Sequence, residues 1–204
     1  MFNPFGKANY KDLPNLNSVF GNIGNSWNNP LPNDLYIKGV PKNIHKKFAT
    51  ADIVGNIGAG TDDLHTFTLP AGSLKTNGDK ISFIYAGDFA TNDNDKRIQQ
   101  LFDGQVLEDF GAFDFDAGVW RITGEFVRVD ATHVRGGSFG MFGEPLVTDE
   151  GVIAGTPDII YVARQTLLTV ANLDSNNVVL KLTGTATADN DITQVLSWLD
   201  LMRF

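Results

Sequence analysis

The chain contains no cysteine. Disulfides, thiolate zinc sites, iron–sulfur clusters and a cysteine nucleophile are therefore excluded. No run approaches the roughly 18–20 apolar residues that a membrane helix needs, so no membrane partner is expected. No Asn-x-Ser/Thr sequon occurs, and the Met1–Tyr10 stretch (MFNPFGKANY) lacks an apolar core and a small-residue cleavage site. Neither N-glycosylation nor a secretory signal is expected. Positive charge is also scarce, 16 basic against 24 acidic residues for a formal charge of −8, which argues against a nucleic-acid partner.

What is present is 204 residues, 42% of them hydrophobic, with 21 glycines and 15 phenylalanines. That length suits one domain with an appendage. Charge divides the chain. Residues 1–50 hold six lysines against two aspartates, a balance of +4, and residues 51–204 hold ten basic and twenty-two acidic groups, a balance of −12. Five of the eight prolines fall within residues 1–41 and nine asparagines within residues 1–33. Proline removes backbone donors and asparagine favours turns, so residues 1–50 read as an extended arm. The arm is studded with Phe2, Phe5, Tyr10, Phe20 and Trp27, unlike a solvated linker. These five are the candidate anchors on a partner. Residues 51–60, with Gly55, Gly58 and Gly60, read as a flexible glycine-rich connector. Their G-x-x-G-x-G order is not the dinucleotide fingerprint.

Residues 61–204 alternate with period two, the strand signature. Candidate strands are 64–69, 80–86, 96–102, 105–110, 119–129, 132–142, 159–162, 167–173, 178–186 and 192–204. Turn signals stand between them at Asn77-Gly78, Asp103-Gly104, Asn176-Asn177 and Asn190-Asp191. Gly124 suggests a bulge or bend in the fifth candidate. Residues 192–204 could also draw a helix face through Val195, Leu196, Trp198, Leu199 and Met202, but the strand reading continues the alternating series. Short strands at this spacing predict an all-β antiparallel sandwich.

Candidate chemistry is sparse. The histidines at 45, 65 and 133 show no helical metal spacing, and no Gly-x-Ser-x-Gly elbow occurs. No catalytic residue, metal or cofactor is expected. Acidic groups at Asp88, Asp93 and Asp95, at Asp114 and Asp116, and at Asp189 and Asp191 suit turns. Asn92, Asp93, Asp95, Phe113 and Phe115 are the candidate surface-binding positions, since aromatic rings stack on sugars and loops carry recognition. The segment GGSFGMFG, with Phe139 and Met141, suits close packing between subunits.

Three stretches carry a resemblance. They are Leu69 to Asp79 (LPAGSLKTNGD) with the Asn92–Lys96 turn, Trp120 to Arg128 (WRITGEFVR), and Val178 to Gly184 leading into the apolar C-terminal stretch. Over residues 60–204 the chain resembles the jelly-roll domains of tailed-bacteriophage virion proteins, of tail-fibre, head-fibre and capsid-decoration type. The resemblance implies a jelly-roll sandwich, a trimer, a virion location, and attachment to capsid or tail proteins through residues 1–50. It brings no catalytic residues. The alternative it leaves open is a receptor- or glycan-binding module of a tail fibre, with host surface glycan as partner.

Overall fold

The computed structural model describes residues 39–113, 118–143 and 160–204. Among these, eleven strands and one short 3-10 turn (Thr50–Asp52) account for the regular structure. The strands are β1 (Lys42–Lys47), β2 (Val54–Gly55), β3 (Gly60–Leu69), β4 (Lys80–Phe89), β5 (Lys96–Phe102) and β6 (Gln105–Phe113). They continue as β7 (Gly118–Arg128), β8 (His133–Gly143), β9 (Ile160–Thr169), β10 (Val178–Ala186) and β11 (Ile192–Met202). The all-β reading is correct. The arm at residues 1–38, and with it Phe2, Phe5, Tyr10, Phe20 and Trp27, lies outside the described residues.

All pairings are antiparallel. One sheet runs β1-β11-β4-β7-β8-β9, with β2 also on β11, and the other runs β3-β10-β5-β6. Eight of these strands pair as nested hairpins: β5 with β6, β4 with β7, β3 with β10, β1 with β11. Folding that long hairpin over makes β11 pair β4 and β10 pair β5 as well, which is the jelly-roll arrangement. The β8–β9 pair is an addition that widens the larger sheet beyond β7.

Between the sheets the inward residues of alternating strands form the core. Ile81, Phe83, Tyr85 and Phe89 of β4 face inward, as do Trp120, Ile122 and Phe126 of β7, and all are buried. Phe126 contacts Phe83 at 5.3 Å within its sheet and Phe102 of β5 at 4.3 Å across the sandwich. Phe110 of β6 meets Phe142 of β8 at 5.2 Å. Each buried ring contributes roughly 1.5–3 kcal/mol.

Several sequence expectations are corrected. The expectation that residues 1–50 are all arm fails at its C-terminal end, because Lys42–Lys47 forms β1, with Lys42 opposite Leu201 and Lys47 opposite Ser197. The 51–60 connector is not slack. Gly55 pairs with Thr193, and buried Asn56 bonds Ile192 N through its Oδ1 at 2.9 Å and Ala188 O through its Nδ2 at 2.6 Å. Gly124 marks no bulge, since β7 keeps register with both neighbours. A Cβ there would stand 2.5 Å from Phe83 Cζ, so this glycine makes room for a core ring. Residues 160–162 and 167–169, read as parts of two strands, belong to the single strand β9, which ends at Thr169. By contrast, Asp103-Gly104 performs as read. Both residues have positive φ, 51° and 76°, the two-residue hairpin geometry that joins β5 to β6.

Candidate interface and binding loops

At one end of the sandwich the loops after β4 and β10 share a polar knot. Asp191 accepts from Asn92 Nδ2 at 2.6 Å, Asn94 Nδ2 at 3.0 Å, Ala188 N at 2.8 Å and Thr187 N at 3.2 Å. Burial pushes its carboxyl up, but these hydrogen bonds outweigh burial and hold it below the ordinary aspartate value. The Lys96 ammonium is fully buried beneath the same loop. It donates to Asn92 O at 2.8 Å, Asn94 O at 2.9 Å and Asn92 Oδ1 at 3.0 Å. A lysine thus fills the oxygen cage where a cation-binding loop would hold its ion. Asn92 is therefore committed to structure through both side-chain atoms. Asp93 and Asp95 remain exposed on the rigid loop. Phe113 ends β6, and Phe115 lies outside the described residues.

A second polar group crosses the core. His45 of β1 lies 2.9 Å from Ser197 Oγ of β11, a distance compatible with a base and its nucleophile. Ser197 has no exposed surface, however, so no substrate can reach its oxygen, and the bond fastens β1 to β11. His65 packs between His45, edge-on with ring centres 4.7 Å apart, and Tyr85, tilted at 5.0 Å. Burial, then the neighbouring charges of His45 and Lys47, push His65 down to about 3. Burial raises the Tyr85 hydroxyl above its ordinary value. This cluster is neutral at physiological pH and works as core. At the opposite end, buried Arg128 grips Asp174 through Nη1 at 2.6 Å and Nη2 at 3.1 Å, and bonds Leu74 O.

The two outer faces differ sharply. Across the four-stranded sheet lie Thr66 and Thr68 of β3, Lys181 and Thr185 of β10, Arg97 and Gln99 of β5, and Asp109 of β6. Lys181 pairs with Asp63 at 2.8 Å, and Arg97 Nε donates to Asp109 Oδ1 at 2.8 Å. That Arg97 bond leads the causes that hold Asp109 down at about 2. This face is polar.

The outer face of the larger sheet is apolar through its middle. Register places Trp198, Ile84, Thr123 and Phe139 in one line across β11, β4, β7 and β8. The next line holds Leu196, Ala86, Arg121 and Met141. Val119 lies one step further along β7, beside Asp88 of β4. Phe48, just after β1, extends the belt with its ring 5.4 Å from that of Trp198. Val119 is 57% exposed, Phe48 50% and Met141 40%, while Ile84, Leu196 and Trp198 are half-buried. Charged residues flank the belt, with Lys80 and Glu125 paired at 2.8 Å on one side. Of its members, Phe139 and Met141 were expected from GGSFGMFG; Trp198, Leu196 and Ile84 were not.

No family model matches this chain, and no curated protein matches it. Among solved structures, the crystal structure of dimeric latent PorU from Porphyromonas gingivalis matches over 82% of this chain at a TM-score of 0.37 and 10% identity. This chain covers 13% of the PorU chain.

Proposed function

We propose that this chain is a non-enzymatic structural protein of a tailed-bacteriophage virion. Its jelly-roll body assembles as a trimer, and the residues ahead of its first strand attach it to capsid or tail proteins. The observation that carries the reading is the contrast between the outer faces. A sandwich that stands alone in water has reason to be polar on both sides. Here one face is largely ion-paired and polar, and the other carries an apolar belt interrupted at β7 by Thr123 and Arg121, as suits a module working in an assembly.

The test is deletion of residues 1–38, which stops short of β1 and so leaves every described strand in place. The deleted chain, supplied in place of the parent during particle production, is expected to fold and to be missing from purified particles. Incorporation at the parental copy number overturns the attachment role. A second reading, host-glycan binding, draws on Asp93 and Asp95, which stand exposed on the loop that Lys96 holds rigid. Binding of the whole chain to a glycan array, abolished by Asp93→Ala with Asp95→Ala, is its expected signature.

A further inference from the structure

We propose that the outer face of the larger sheet is the interface between copies of this chain, with the belt of Phe48, Trp198, Ile84, Leu196, Met141 and Val119 at its centre. The inference deepens the assembly role proposed above and rests on it.

Size is the first argument. Six strands at the usual spacing span roughly 24 Å, and the five of ten or eleven residues run roughly 33 Å, β1 being shorter. The face therefore measures on the order of 800 Å², about what one partner contributes to a standard stable interface. Its middle is mostly apolar, broken at β7 by Thr123 and Arg121, and its margins are charged, close to the layout of an interface core and rim.

Charge decides which occupant fits. Arg121 stands within the belt, between Ala86 and Met141, and Asp88 at its end beside Val119; both are exposed and lie two steps apart in register on neighbouring strands. Neither has an ion-pair partner among the described residues. A foreign surface of a single sign would leave one of them uncompensated against an apolar contact, which is costly. A second copy brings one group of each sign, so Arg121 of one chain and Asp88 of the next satisfy each other. In a three-fold ring the face is shared between two neighbours, about half to each junction, and every junction repeats that same contact.

The test uses the full chain and measures solution mass by light scattering at micromolar concentration, with thermal melts to establish folding. The parent is expected at three times the mass of one chain. Val119→Lys combined with Met141→Lys changes two side chains that already point to solvent, so folding is spared. Self-association should weaken about a hundredfold, roughly tenfold for each apolar contact replaced by a charge. Val106→Lys, on the exposed edge of the four-stranded sheet, is the control and should keep the parental mass. A parent that runs as a single chain overturns the proposal. So does a Val119/Met141 variant that retains the parental mass, or a Val106 control that dissociates equally. Because the measurement is made on the isolated chain, a monomer rejects the interface and leaves particle incorporation to judge the virion role. An oligomer that never enters particles does the reverse.

Discussion

Lys96 shows how one side chain can decide the character of a loop. Asn92, Asp93, Asn94 and Asp95 place oxygen atoms densely enough to suggest a hard-cation site, yet the buried ammonium takes three of those oxygens for itself. Lys96→Met keeps the stem and removes the donor, leaving buried acceptors unpaired. The expected cost is about 3 kcal/mol, read as a lower denaturant midpoint with an unchanged slope. His65 sets a pH dependence. Its folded value of about 3 lies below its ordinary 6.5, so the unfolded chain binds a proton that the folded chain refuses. Stability is then complete above pH 6.5 and falls by about 1.4 kcal/mol per pH unit below it. The decline ends near pH 3. Denaturant titrations should show His65→Leu flattening that slope between pH 4.5 and 6.5. Asp109 acts in a lower window. Its carboxyl, held at about 2 against an ordinary 3.8, adds stability that is present above about pH 4 and is lost as pH falls toward 2.

At the scale of elements, β1 and β11 matter most. β1 covers one edge of β11 and brings the His45–Ser197 bond and the Phe48–Trp198 contact with it. Removing residues 1–50 strips that strand and bares the paired edge of β11, a template for aggregation. Removing residues 1–38 leaves it in place. Thermal melts should find the shorter deletion near the parental midpoint, and the longer one at least several degrees lower and prone to precipitate. The β5–β6 hairpin is a second lever. Gly104 sits at φ 76°, so Gly104→Val forces a β-branched residue into left-handed backbone. An expected loss of about 1–2 kcal/mol is measurable by chemical denaturation. Elements also show where the sequence was legible. Strands with one apolar face, such as 96–102 and 178–186, were read to the residue. Residues 192–204 are ambiguous with helix in the sequence because both faces of β11, which ends at Met202, are apolar: Leu199 and Leu201 point to the core, and Leu196, Trp198 and Met202 point outward. Apolar side chains at neighbouring positions blur a period of two, and here that blurring marks the belt. Residues 42–47 were missed for a different reason. KNIHKK has too few apolar residues to announce a strand, and it becomes one by pairing with an edge more than 150 positions away.

For the whole molecule, the nested pairing has a kinetic consequence. The outermost hairpin joins residues 42–47 to 197–201, so the fold is dominated by non-local contacts. Loop closure must precede the contacts that reward it. Refolding from denaturant, followed by stopped-flow tryptophan fluorescence, is expected on the order of seconds. Pairing of β1 with β11 should be among the late events.

The sequence by itself determined the all-β class, most strand positions and the turns, because alternation and turn chemistry are local. It also carried the charge division near the N-terminal region, although the physical boundary proved to be β1 rather than residue 50. Tertiary structure alone decided which strands pair, that Lys96 stands where an ion could, that Gly124 yields to Phe83, and that Trp198, Ile84 and Met141 share one outward face. Each of these depends on residues brought together across long stretches of chain. A face of a sheet is defined by register between strands, and register is a relation that no single strand's sequence contains.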